Sequence, residues 1–383
     1  MPYWRLSSFY FFYFAALGSF LPFWSLYLKH HSFSALEIGE LTAFMVGTKV
    51  IAPNLWGWIA DHTGKSLRII RIASFLAMVL FAGFLYEVSF QWFATVTVCF
   101  SFFWNAALPQ FEAATLHHLK DQPHRYSHIR LWGSIGFIVT VLGVGYLLDL
   151  YSIELLPWLI ISLLACIWLV SLLTPEITSA RAGQATVGAW KIIKQPEVIA
   201  FLLVYMLLQA AHGPYYVFFS IYLKQYGYSS SLIGMLWSLG AGAEILVFLL
   251  MRKMLKYISL RRILLVSCLL SVLRWLMIAC YAGEMPLLLF AQVLHAATFG
   301  AAHVAAIHLV QNYFGDHHQG KGQALYSSLS FGLGGMVGGL YSGYAWDLYG
   351  GELVYAFAAL LSAFAYIIAA LWVGKGKAYC HNS

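Results

Sequence analysis

Lys49, Glu112, Arg130, His212, Glu244, Arg274, His295, His303 and His308 are ionisable side chains set inside long apolar stretches of this sequence. At a helix centre in hydrocarbon such a group costs about 2.5–3.5 kcal/mol on insertion scales unless it faces a partner or a cavity, so it marks a pathway for protons, ions or solutes. Glu112 and Arg130 stand on either side of a polar, basic loop within 105–137, which reads as the end of one apolar helix and the start of the next. A carboxylate and a guanidinium so placed form either a structural ion pair or a clamp on a polar solute. Glu244 is the candidate proton seat. A guanidinium favours the charged carboxylate and burial the neutral acid, so a moving Arg274 would switch its proton affinity, whereas a permanent Glu244–Arg274 bridge would be structural. His295 can titrate near neutrality or serve as a hydrogen-bonding wall residue; His303 and His308 read as structural. Gln209, His212 and Tyr216 fall at i, i+3 and i+7 beside Pro214, a polar stripe suited to a cavity wall or to hydrogen bonding within a bundle.

The elements that must hold these residues follow from composition. The 383-residue chain is 61% hydrophobic and 10% charged, with a mean hydropathy of +0.75, whereas soluble domains carry about 25% charged residues. It is an all-α membrane protein, and its long apolar runs exclude an outer-membrane barrel. Twelve spans are expected, at 8–28, 36–60, 69–87, 91–116, 131–149, 154–174, 198–223, 232–251, 263–282, 286–312, 324–346 and 353–374. The basic start at Met1–Arg5 leads directly into the first of them and reads as helix, not as a cleaved signal. Cys99, Cys166, Cys268, Cys280 and Cys380 are scattered, with no metal or disulfide pattern. The formal charge of +7 fits basic loops on one side of a membrane and implies no nucleic-acid partner. No phosphate-cradling loop is present, and the loop histidines (His117, His118, His124, His128, His317, His318) lack companion ligands, so neither an enzyme nor a metal site is expected.

With the N-terminus inside, every loop Lys and Arg except Lys29 and Lys224 falls on the inner face, so both termini are expected in the cytoplasm. The polar stretch Pro175–Glu197 divides six helices from six: an N-terminal bundle at 1–174, a cytoplasmic loop at 175–197, and a C-terminal bundle with a short tail at 198–383. A repeat supports this division. Phe23–Lys29 (FWSLYLK) echoes Phe218–Lys224 (FFSIYLK), and Ile38-Gly39 echoes Ile233-Gly234, both at an offset of 195. Two parallel repeats around a midplane site are the architecture such a pattern implies. The same offset carries Lys49 onto Glu244. Gly335, Gly339 and Gly343 recur every fourth residue and permit close helix approach.

Asn105–Glu112 (NAALPQFE) with Arg130–Phe137 (RLWGSIGF) resembles the fourth and fifth helices of the lactose permease branch of the major facilitator superfamily. RLWGS together with Phe20–Ser25 (FLPFWS) resembles its phenylpropionate permease group more closely. Gly57, Asp61, Gly64 and Lys65 resemble the superfamily's cytoplasmic loop signature, a conformational latch. The resemblance implies two six-helix bundles about a pseudo-twofold axis, with Glu112 and Arg130 contacting solute and Glu244, Arg274 and His295 in a proton-coupling network. The chain departs from the lactose permease pattern at Thr298, where that branch has its proton-carrying glutamate, and in Gly332–Gly339, where a basic residue is missing. Lys49 has no counterpart in lactose permease but has one in the phenylpropionate group, and with Arg130 and Arg274 it leaves a basic surplus. Trp24 is among the aromatic residues able to stack on an aromatic ligand.

The expectation is a proton-coupled symporter of a bacterial inner membrane, working as a monomer without any cofactor beyond the proton gradient. It would import a small organic anion, most simply an aromatic carboxylate of the phenylpropionate type. A sugar or nucleoside symporter of the same fold is the first rival. A non-transporting membrane receptor is the second, and the intact latch and the charges in both halves argue against it.

Overall fold

A computed structural model describes residues 2–119, 125–175 and 189–374. Lys120, His124, Arg181, the 176–188 part of the central loop, and the tail with Lys375, Lys377 and Cys380 lie outside the described residues, as does the side chain of Asp61. Twelve long helices are described: α1 (Tyr3–His30), α2 (Ala35–Thr63), α3 (Ser66–Phe81), α4 (Phe90–His118), α5 (Tyr126–Leu150), α6 (Leu156–Leu173), α7 (Pro196–Gln225), α8 (Ser230–Met254), α9 (Leu260–Tyr281), α10 (Met285–Gly315), α11 (316–349) and α12 (351–372). A short helix, Ala189–Ile193, precedes α7.

Among the described residues, ten stretches are long and apolar enough to cross a membrane. One of them, His318–Trp372, is two helices, because Gly350 (φ 76°) reverses the chain within it. α2 is not among the ten; it carries Glu37, Glu40, Lys49 and Asp61. Each span expected from the sequence except 69–87 lies on one of these helices to within two residues; there α3 ends at Phe81 and a 3-10 turn, Ala82–Leu85, carries the chain on. The helices run longer because their ends continue into polar sequence, as α11 does through 316–323.

Local chemistry sets the boundaries. The start of α2 is a capping box: Ser34 Oγ accepts from the Glu37 N–H, and the Glu37 carboxylate accepts from the Ser34 N–H at 2.8 Å. Its end is Gly64 in the left-handed region (φ 65°), donating to the Ala60 carbonyl. Gly64 of the expected latch is thus a helix stop.

The chain forms two compact units. The first is α1–α6 with Tyr216–Ser238 from α7 and α8. Its interior is aromatic: Phe9 stacks on Phe111 at 3.6 Å and Tyr13 on Trp104 at 4.5 Å between ring centroids. Arg71 of α3 donates to the carbonyls of Ser171 and Thr174, satisfying the last turn of α6. The Asp149 carboxylate accepts from the N–H groups of Ser230 and Ser231 at 2.7 and 2.8 Å, capping α8.

The second unit is α9–α12 with the remainder of α7 and α8. Val198, Phe201, Leu208, Ala302, Leu309 and Phe314 belong to its buried core. Arg261 of α9 donates to Ala370 and Val373 at 2.7 Å and so satisfies the last turn of α12. α7 and α11 meet backbone to backbone: a Cβ on Gly213 would lie 2.3 Å from the Gly338 carbonyl carbon, and one on Gly334 would lie 2.6 Å from the Met206 oxygen. This close approach runs in the register next to the predicted Gly335–Gly339–Gly343 stripe. Two π-helical turns interrupt the unit, Ala296–Ala301 in α10 and Ser328–Gly334 in α11. Such turns are rare and cluster at functional positions.

Candidate functional site

Within the second unit, Arg274 is fully buried on α9. Its Nε donates to the Ala291 carbonyl at 3.0 Å, and its Nη1 lies 3.5 Å from His212 Nε2 and 3.4 Å from Thr298 Oγ1. The guanidinium carbon sits 4.3 Å from the Tyr215 ring centroid and 4.4 Å from that of Trp275. A planar, delocalised, weakly hydrated cation suits this setting, where an ammonium would not reproduce the fork of bonds. His212 Nδ1 is 2.8 Å from the Leu208 carbonyl. That contact assigns the proton to Nδ1 and leaves Nε2 as an acceptor toward Arg274.

On the adjacent turns, His295 Nε2 is 3.8 Å from a Glu244 oxygen, and the carboxylate side chain is only 21% exposed. The π-turn that follows His295 brings Gly300 against Glu244, where an added Cβ would lie 3.0 Å from Glu244 Cγ. Ser267 of α9 donates to the Ala297 carbonyl at 2.8 Å, satisfying backbone inside that turn. The structure therefore assembles Glu244, His295, Arg274 and His212 in one polar cluster. Glu244 meets His295 directly, and the contacts of Arg274 include His212, Thr298, the Ala291 carbonyl and the faces of Tyr215 and Trp275.

In the first unit, Arg130 lies over the Phe14 ring at 4.0 Å and near Tyr10 at 5.8 Å. Gly133 makes the room, since a Cβ there would fall 2.7 Å from Phe14 and 2.9 Å from Arg130 Nη1. Glu112 accepts from Tyr126 Oη at 3.5 Å. No Lys or Arg nitrogen comes within 4.0 Å of Glu112 among the described residues. The two flanks of the loop are thus held by aromatic and phenolic partners, not by each other. Lys49 of α2 is exposed, and among the described residues no carboxylate of its own unit lies within 4.0 Å. Beside it, Asn105 Nδ2, Thr48 Oγ1 and Ser101 Oγ form a hydrogen-bonded chain. Trp24 is buried among Phe20, Tyr27, Phe81 and Phe84.

The stripe on α7 is divided. Gln209 and His212 face a cavity of about 20 Å³ with Thr298, Phe299, His303 and Tyr326, whereas Tyr216 belongs to the first unit and stacks on Trp237. Of the expected latch, Gly64 is the helix stop and Lys65 is exposed. Gly57 is in ordinary contact with Gln110, at 3.6 Å for an added Cβ.

Sequence reasoning missed Tyr215, Trp275 and Gln292. Gln292 is fully buried, accepts from Tyr215 Oη at 2.9 Å, and so fixes the ring under Arg274. A signal for it was present, since Gln292 and Thr298 flank His295 at i−3 and i+3 on an apolar helix. Tyr215 and Trp275 had none, hidden in a chain where 17% of residues are aromatic.

Residues 3–357 match the model of the MFS_1 like family. The chain belongs to that family, within the major facilitator superfamily. This MFS_1-like protein is 30% identical over 350 residues to a probable 3-phenylpropionic acid transporter of Escherichia coli (strain K12), covering 89% of this chain and 90% of the relative. It is 27% identical over 361 residues to a maltose permease of Geobacillus stearothermophilus, covering 91% and 89%. Its fold matches that of the nucleoside transporter NupG with a TM-score of 0.86 at 20% identity, over 97% of this chain and 99% of that one. The MFS_1-like chain is accordingly a multi-pass integral membrane protein and a secondary transporter of small solutes, not an enzyme.

Proposed function

We propose that this transporter couples the import of a small aromatic carboxylate to protons by alternating access. The observation that carries the reading is the Glu244–His295 pair at 3.8 Å beside a fully buried Arg274. Two groups able to exchange a proton next to a fixed cation make a switch whose charge depends on occupancy. Glu244 is the proton seat and His295 its partner. Arg274 holds the local potential, and His212 with Gln209 lines the wall.

The anionic cargo is supported by the basic surplus of Lys49, Arg130 and Arg274, and by similarity to a relative described as a probable 3-phenylpropionic acid transporter. Lys49 and Arg130 are the carboxylate contacts in this reading, with Glu112 selecting the protonation state of the bound acid. The halves at 1–174 and 198–383 rock about the site, the Gly57–Lys65 segment latches one state, and both termini face the cytoplasm. Solute and proton act through differential affinity for the two states.

Sugar or nucleoside import is the second reading, favoured by the maltose permease and NupG similarities. Purified protein in liposomes distinguishes the two. Counterflow and solute-driven proton uptake should appear with phenylpropionate-type acids and not with maltose or nucleosides. The opposite order of substrates would replace the first reading with the second, and uptake without proton movement would remove the coupling.

A further inference from the structure

We infer that the cavity bounded by α7, α10 and α11 binds a single water molecule, and that this water and His303 form a second protonatable station on α10, two turns beyond His295. The inference rests on the proton coupling proposed above. Size decides what the cavity holds. It measures about 20 Å³, where one water needs roughly 10–15 Å³ and a benzene-sized guest occupies a void nearer 150 Å³. The cavity is therefore no seat for an aromatic ring.

Its lining suits water. Gln209, His212, Thr298 and His303 bring polar atoms, and a buried water takes two to four such partners. Leu208, Phe299 and Phe331 are among the apolar residues that line the rest. Both π-helical turns of the unit contribute, one giving Thr298 and Phe299 and the other Phe331.

His303 is the wall group equipped to take charge. Phe331, Tyr326 and Phe299 surround its ring at centroid distances of 5.6, 6.0 and 6.2 Å, a cage of π-faces at the range where a cation is attracted. Its Nδ1 lies 3.0 Å from Tyr326 Oη. When the coupling proton reaches the water, the water passes one of its own protons to Nε2 of neutral His303 and remains a neutral water, giving an imidazolium with two N–H groups. Nδ1–H donates to Tyr326 Oη before and after the transfer, and the new Nε2–H donates back to the water, so no hydrogen bond is lost and no hydroxide is left. The remaining titratable groups at the cavity cannot take this part. His212 Nε2 already faces Arg274, the Tyr205 hydroxyl donates to the Ala302 carbonyl at 2.8 Å, and among the described residues no carboxylate lines the wall. Arg274 reaches the cavity through Thr298 at 3.4 Å, so its fixed charge opposes a second proton there and makes the station one that empties again.

The test uses the full chain in liposomes, with solute-driven proton uptake measured across neutral pH and counterflow measured alongside. Ala302→Val fills the cavity without touching a titratable group, and His303→Gln removes the base while keeping a polar side chain. Both are expected to lose proton-driven accumulation and to flatten its pH profile, with counterflow showing that the protein is folded and binds solute. Tyr326→Phe keeps the cage and should shift the profile without abolishing accumulation. Wild-type accumulation and pH profile in either Ala302→Val or His303→Gln would overturn the station. If the unmodified protein moves no protons with its solute, coupling and station fall together; if it does and both variants match it, the station alone falls.

Discussion

Gly213→Ala is the substitution whose cost the geometry determines most directly. The added Cβ would lie 2.3 Å from the Gly338 carbonyl carbon, 2.4 Å from its Cα and 2.5 Å from its oxygen. Ordinary contact begins at 3.4 Å, so the methyl is about 1 Å too close to three backbone atoms, none of which can rotate away. α7 and α11 must then part along the seam that Gly334 and Gly338 also use. Overpacking of this kind costs about 1–3 kcal/mol, and a clash with backbone belongs at the upper end. Against it stands the helix-propensity gain of about 1 kcal/mol when Gly becomes Ala, leaving a net loss of about 1–2 kcal/mol. Gly143→Ala is the matched control: nothing lies within 4 Å of its Cβ, and the site is exposed on α5. It should keep the propensity gain alone. Thermal unfolding in one detergent should therefore rank Gly143→Ala at or above wild type and Gly213→Ala clearly below. Counterflow should fall in Gly213→Ala, because His212 is the preceding residue. If Gly213→Ala melted with or above the control, the backbone contact between α7 and α11 would be refuted.

Glu244→Gln should abolish uphill accumulation and spare counterflow, which moves no net proton; retained accumulation would pass the proton seat to Glu112 or His295. Lys49→Gln should lose binding of anionic solute while the protein still folds. The exchange Lys49→Glu with Glu244→Lys should not restore transport, and recovery would mean that the two residues serve only as a structural bridge. Asp149→Ala removes the acceptor of two N–H groups at the start of α8 and should cost about 1 kcal/mol, in the lower half of capping effects because the site is exposed; an unchanged melting temperature would show that the cap contributes nothing. Cysteine labelling should find both termini and the Pro175–Glu197 loop inside, and reaction of that loop with an impermeant external reagent would overturn the six-plus-six topology.

The helices were legible because hydropathy over twenty residues is a property of the chain itself. Even α2, which is not among the ten apolar stretches, was readable from its flanks. Side-chain environments were less so. Helical spacing says which residues share a face but not which neighbour covers it. Gln209, His212 and Tyr216 do share a stripe, yet beyond Pro214 the covering partner changes and Tyr216 meets Trp237. Glu112 and Arg130 were readable as opposite charges across a short loop. Phe14 and Tyr126 take up their contacts instead, because aromatic and phenolic partners cost less to bring together than a desolvated ion pair. The π-turns left no mark in the sequence at all, since one extra residue per turn is a matter of packing.

The guanidinium groups of Arg71 and Arg261 have a bearing on the setting in which this carrier works. Each replaces the missing N–H partners at the end of a helix, α6 in one case and α12 in the other. A histidine or lysine in that place would surrender its hold as local pH or desolvation changed. An arginine keeps its proton under any condition a cell membrane meets. The ends of α6 and α12 are thereby insulated from changes of pH, so the titratable groups of the polar cluster on α7–α10 can change charge without unravelling these two helices.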